Sequence, residues 1–143
     1  MRTTKVFIFT ILLILSSLIE SRVLIKGAPL FTLSILMPLS LILQSAVFVP
    51  IAFFAGILRD GLFPQNLWIS PFAFVICGLI GYIFRGYVNL KLLAPKAVYF
   101  LLFSFLYSIS LSWVYGANPS FGSIILTTLS TTFFSLIVLW VIQ

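Results

Sequence analysis

Residues 27–58 carry no charged side chain, and an unbroken α-helix over them would reach about 46 Å, against a hydrocarbon core of about 30 Å. The stretch must therefore break or tilt steeply. Pro38, Pro50 and the pair Gln44-Ser45 are the places to break it, since proline removes a helix donor and Gln-Ser supplies polar groups suited to a turn. Division near Gln44-Ser45 gives helices over about 29–43 and 47–58. Both are short for a bilayer, which implies local thinning, burial within protein, or helix ends carried into the interface.

The rest of the chain makes the bilayer its solvent. With 62% apolar residues, 7% charged residues and a mean hydropathy of +1.29 over 143 residues, there is too little polar surface to coat a water-soluble globule. The expectation is an all-α polytopic membrane protein, one transmembrane domain of about six spans near 4–19, 29–43, 47–58, 70–84, 95–115 and 121–142. Arg2 and Lys5 ahead of the apolar residues 6–15 have the form of a signal peptide. Ser16, Ser17 and Ser21 are followed by no Ala-x-Ala site, so an uncleaved first crossing is expected. Pro64, Gln65, Asn66 and Trp68 mark a loop. Trp113 and Tyr115 form an aromatic belt, and Gly116-Ala117-Asn118-Pro119 is a turn signature.

Six crossings with the N-terminus inside put Arg2, Lys5, Arg85, Lys91 and Lys96 on the cytoplasmic side and Arg22, Lys26 and Arg59 outside, as retention of basic loops favours. Five crossings with the N-terminus outside give the same five-to-three division. Six is preferred, because a basic N-terminal tail is naturally retained and the long apolar stretch must break. Both termini are then cytoplasmic. The net charge of +6 flanks apolar segments and serves topology rather than nucleic-acid binding.

Several kinds of chemistry are excluded by residue type. The chain has no histidine, one cysteine (Cys77) and two acidic residues, Glu20 and Asp60, so a metal centre, an intramolecular disulfide and a paired-carboxylate acid–base site are not expected. Nucleotide-binding glycine loops and a Gly-x-Ser-x-Gly elbow are missing too. No cofactor and no enzymatic activity are expected. What remains is binding of a partner protein, a small solute or lipid.

Without a hydrophobic effect between helices in lipid, close approach at small residues and interhelical hydrogen bonds drive association. Small or hydroxyl residues recur four apart at Ser123, Thr127, Thr131 and Ser135, at Ser104, Ser108 and Ser112, at Ala73, Cys77 and Gly81, and at Ala52 and Gly56 leading to Asp60. Each stripe suits either internal packing or a partner's helix. The candidate partner site is Ala52, Gly56, Arg59 and Asp60 with the neighbouring Gly78 and Gly81. Arg59 and Asp60 point about 100° apart on a helix and need not pair. Two readings stay open for Asp60: a turn cap at the headgroup boundary beside a snorkelling Arg59, or a group facing the bundle interior that fixes an Arg, a loop amide or a ligand.

Phe54-Ala55-Gly56-Ile57-Leu58-Arg59-Asp60-Gly61 ending a third span, and the glycine-bearing fourth span containing Cys77-Gly78-Leu79-Ile80-Gly81, resemble the rod shape-determining protein MreD family. The resemblance is specific over residues 52–86 and elsewhere is one of length and hydropathy. Asn66-Leu67-Trp68 stands where that family commonly has Leu-Gly. The resemblance implies a non-enzymatic component of the bacterial cell-elongation machinery in the cytoplasmic membrane. Its implied partners are a single-span protein of MreC type and, through it, peptidoglycan synthases and MreB filaments. The family's fold is similar to the S components of energy-coupling-factor vitamin transporters, which makes a substrate-binding S component the alternative. Against it, residues 6–19 lack an Ala-x-x-x-Ala docking face.

Overall fold

The computed structural model describes residues 3–22, 29–62, 69–89, 91–114 and 120–142. Its regular elements are six α-helices: α1 (Thr3–Arg22), α2 (Phe31–Ile42), α3 (Ser45–Leu62), α4 (Ile69–Tyr87), α5 (Leu93–Val114) and α6 (Phe121–Ile142). The fold is all-α, and α3, α4, α5 and α6 are each long and apolar enough to cross a membrane. The residues around Pro64–Trp68, Lys26 and Tyr115–Pro119, expected as loops, fall outside the described residues.

The long uncharged stretch breaks at Leu43 and Gln44. Leu43 is extended (φ −79°, ψ 151°) and its N–H still donates to Leu39 O at 2.8 Å. The Gln44 carbonyl then accepts from the N–H groups of Val47 and Phe48, which starts α3 at once. Pro38 and Pro50 stay inside α2 and α3, as prolines can where surrounding helices re-satisfy the freed backbone groups. The third helix therefore begins two residues earlier than the hydropathy pattern implies and runs on to Leu62. Arg59 and Asp60 consequently lie within its last turn rather than beyond it.

At 12 residues, about 18 Å of helix, α2 is too short to span a bilayer. It has no need to face lipid. Leu33, Leu36, Met37, Leu39 and Leu41 are buried, and α2 packs against α1, α3, α4 and α6, forming the axis of the bundle. Its apolar side chains merge with Leu13, Phe48, Ala52, Phe74, Phe100, Phe103 and Leu139 into one core. Between α4 and α5, long aromatic side chains bridge the gap: Phe84 stacks on Tyr99 at 5.3 Å, and Phe74 meets Tyr107 at 5.5 Å between ring centroids.

The hydroxyl stripes are largely spent inside the bundle. Most of these hydroxyls donate back to a carbonyl one turn earlier, as Ser104 does to Phe100 O, Thr131 to Thr127 O and Ser135 to Thr131 O. Thr131 Oγ1 also accepts the Leu30 N–H at 3.0 Å, and Ser34 donates to Thr131 O at 3.3 Å. The start of α2 is thereby fastened to α6. Across α5 and α6, Ser104 and Thr132 share a hydrogen bond of 3.3 Å. One turn further along this antiparallel pair come Ser108 and Thr128, whose buried hydroxyls have no hydrogen-bond partner among the described residues. Since a buried donor without a partner contributes only its desolvation cost, Ser108→Ala and Thr128→Val are expected to leave stability unchanged or raise it by up to about 1 kcal/mol. Ser104→Ala should cost about 0.6 kcal/mol. Unfolding in detergent checks this, and a larger loss in Ser108→Ala than in Ser104→Ala would contradict the assignment.

Candidate functional site

Both acidic residues of the chain and one arginine meet at the end of the bundle where α1 and α3 finish and α2 and α4 begin. Arg59 is 2%, Asp60 2% and Glu20 7% exposed. Arg59 Nε donates to Glu20 Oε1 at 2.8 Å, and its Nη1 donates to Asp60 Oδ1 at 3.2 Å and to Ser70 Oγ at 3.0 Å. Its guanidinium carbon lies 5.6 Å from the centre of the Tyr107 ring, whose hydroxyl shares a hydrogen bond of 2.6 Å with Ser70 Oγ. One guanidinium is thereby tied to side chains from α1, α3, α4 and α5.

The carboxylates complete the arrangement by capping helices other than their own. Glu20 Oε2 accepts the Thr32 N–H at 3.1 Å in the first turn of α2, where the N-cap residue Leu30 makes no side-chain cap. Asp60 Oδ2 accepts the Ser70 N–H at 2.8 Å at the start of α4. Helix N-termini present unsatisfied amides and a partial positive charge, so each stabilises a carboxylate. With both carboxylates ionised, the two helix ends offset the one negative charge that Arg59 leaves over. Ser17 and Thr32 extend the cluster through a hydroxyl contact of 3.2 Å. Chemically this is a clamp: α1 to α4 are joined by charge-assisted hydrogen bonds in a dehydrated setting, and α5 is added through Tyr107 by its neutral bond to Ser70 and its ring beside Arg59.

Of the two readings open for Asp60, the structure shows the interior one, with an arginine and a helix-end amide held in place. Arg59 does not snorkel. The neighbours Arg59 and Asp60 do pair, because the long arginine side chain turns back across the helix end. Glu20, Ser70, Thr32 and Tyr107 were not singled out by sequence reasoning. The pointer to Glu20 was arithmetic: with two acidic residues in the chain and one of them near an arginine, the other also needs a cation if it is buried.

The small residues expected to receive a partner's helix pack within the chain. A Cβ on Gly56 would overlap Pro71 Cα and N and would lie 2.7 Å from Ser70 C, so α3 and α4 touch backbone to backbone. At Gly78 a Cβ would enter the Phe48 ring, and at Gly81 it would meet Ser40 Oγ, with Tyr99 Oη at 3.1 Å. Ala52 is fully buried. The groove expected on Ala52, Gly56, Gly78 and Gly81 is therefore closed by the protein's own helices.

Two open grooves flank α3 instead. One of about 520 Å³ lies between α1 and α3, lined by Leu13, Ile14, Ile51, Phe54, Ala55 and Leu58 among others, with Thr10 at its edge. The second, about 490 Å³, lies between α3 and α4 along Pro50, Phe53, Phe72 and Ile76. Phe54, 68% exposed, stands between them as a ridge. Among the described residues, no three histidine, cysteine, aspartate or glutamate side chains come together as a metal site. Searched against family models, curated proteins and solved structures, the chain matches none.

Proposed function

We propose that this protein is a non-enzymatic, multi-pass component of the bacterial cytoplasmic membrane, of MreD type, that supports the cell-elongation machinery by holding a single-span partner of MreC type. The observation that carries the reading is the apolar groove between α1 and α3. It is open to the side, almost without polar atoms and flanked by the exposed Phe54, which suits the apolar face of one transmembrane helix. The likeness of residues 52–86 to the family supports it, and so does the clamp of Arg59, which keeps α1 and α3 at a constant separation beside the groove.

Ile14→Trp and Leu58→Trp place bulk in the groove from its two walls. Each is expected to leave the thermal unfolding of the protein unchanged while reducing recovery of a co-expressed single-span partner about tenfold, equivalent to about 1.4 kcal/mol. Undiminished recovery in both variants would move the partner off this groove. A screen of the purified protein against vitamins by thermal shift tests the competing transporter reading. A tight vitamin ligand would replace the scaffold with a substrate-binding S component.

A further inference from the structure

The Arg59 clamp marks one level of the bundle, and the helices that meet there stop there. α1 and α3 end two residues beyond Glu20 and Asp60, and α2 and α4 begin one residue before Thr32 and Ser70. Polar residues at the other ends of three helices stand at a constant interval from this level. Lys5 precedes Glu20 in α1 by 15 residues, Gln44 at the head of α3 precedes Arg59 by 15, and Arg85 follows Ser70 in α4 by 15, each about 22 Å along a helix. The exposed Gln44 and Arg85 share that second level, since Arg85 Nη1 donates to Leu43 O at 3.3 Å and Ile42 O at 3.5 Å. The interior helix α2, 12 residues long, is thereby held by Glu20 at its N-terminus and by Arg85 at its C-terminus, which fixes the two levels against each other.

The α5–α6 pair gives an independent measure. Ser104 and Thr132 share a hydrogen bond across this antiparallel pair. Trp113 lies nine residues past Ser104 toward one end and Trp140 eight past Thr132 toward the other, so the two stand about 26 Å apart along the bundle. Both indoles are exposed, at 85% and 82%, and exposed tryptophan settles at the boundary with the headgroups. An average hydrocarbon core is about 30 Å thick. The bundle is thus too thin for it on both sides, by about 4 Å along α5 and α6 and by about 8 Å along α1, α3 and α4. Tilting a helix only shortens its span. Long cationic side chains ordinarily relieve such a deficit by snorkelling, but Arg59 and Arg85 are both held by acceptors within the chain. The thinner side is also a lipid-facing wall, with Phe53, Phe54, Phe72 and Ile76 exposed on α3 and α4.

We propose that the wall formed by α1, α3 and α4 is matched to a hydrocarbon core of about 22 Å and takes phospholipids of short acyl chain as its boundary lipid in preference to long-chain ones. Around this wall a bilayer of average thickness must thin, at a cost of a fraction of a kcal/mol per Å, or the wall must be covered by protein. Long-chain lipid therefore favours association at the faces beside Phe54, and short-chain lipid competes with it. The proposal follows from helix lengths and polar levels of the bare chain and does not rest on the identity of any partner.

Quenching of tryptophan fluorescence by phosphatidylcholine with brominated acyl chains tests this on the full-length protein, purified without a partner and reconstituted in fluid vesicles. One variant carries Phe54→Trp together with Trp68→Phe, Trp113→Phe and Trp140→Phe, so its indole reports lipid at the thin wall. A second carries Trp68→Phe and Trp113→Phe, keeps Trp140 and reports the α6 face. With phosphatidylcholines of fourteen-carbon and twenty-two-carbon chains in competition, the shorter is expected to be favoured about fivefold at Phe54→Trp and about twofold at Trp140. Equal occupancy by the two lipids at Phe54→Trp, or preference for the longer, would overturn the proposal. A preference as large at Trp140 as at Phe54→Trp would overturn the assignment of the thin side to α1, α3 and α4. The unaltered protein supplies a readout that needs no variant: its unfolding temperature is expected to be higher in vesicles of the fourteen-carbon lipid than in those of the twenty-two-carbon lipid, and the reverse order would equally overturn the match.

Discussion

Arg59→Met is expected to unfold much of the protein. Removing the guanidinium leaves Glu20 and Asp60 buried at 7% and 2% exposure with no cation between them, and breaking a buried ion pair from one side costs about 3–5 kcal/mol. That is a large fraction of the about 5–15 kcal/mol by which a native protein is typically stable. Arg59→Lys should recover only part of the loss. A lysine carries the charge but cannot donate from one planar fork to Glu20, Asp60 and Ser70 together, as Nε and Nη1 of Arg59 do. The triple variant Arg59→Met, Glu20→Gln, Asp60→Asn should be far more stable than Arg59→Met alone, because the remaining amides can still accept the Thr32 and Ser70 N–H groups and no uncompensated charge stays inside. Thermal unfolding in a neutral detergent, together with yield from the membrane, reads all three. An Arg59→Met protein that unfolds at the parental temperature would show that the cluster is not what joins the helices.

Gly56→Leu is the second large effect, and Gly56→Ala already suffices to reveal it. The first added carbon would coincide with the backbone of Pro71, and backbone cannot swing aside as a side chain can. The α3–α4 contact must therefore open. Overpacking of this kind costs about 1–3 kcal/mol, and more is expected here because Asp60 caps α4 from the same face of α3, one turn on. Gly61→Ala, Gly86→Ala and Gly122→Ala serve as internal controls, since a Cβ at those positions meets nothing within 4 Å. Their unfolding temperatures should match the parent's, and equal losses at Gly56 and Gly86 would contradict the packing described. Loss of a partner in a Gly56→Leu protein would accordingly report a damaged bundle, which is why the groove variants Ile14→Trp and Leu58→Trp carry the functional test.

The helical class and the break near Gln44 were legible in the chain because both follow from lengths: an uncharged run too long for one crossing and apolar segments separated by polar turns. The role of the small residues was not. Spacing by four shows that a face permits close approach, yet it is the same whether the visitor is a neighbouring helix or another protein, and only the path of α4 across Gly56 distinguishes them. Arg59 and Asp60 were legible as a pair of interest beside Gly56. Their geometry escaped because side-chain reach, rather than the 100° step between neighbours, decides whether an arginine meets the next residue.

From sequence alone came the lipid-solvated all-helical class, the division of the long apolar stretch, and the scarcity of acidic groups, since these depend on composition and one-dimensional spacing. Tertiary structure alone decided that Glu20, 39 residues away in the chain, closes on Arg59, that α2 is an interior axis, and that α4 crosses Gly56 backbone to backbone. Each of these depends on which surfaces meet when six helices pack, and a carboxylate's cost or use is set by the charges and helix ends brought beside it in space.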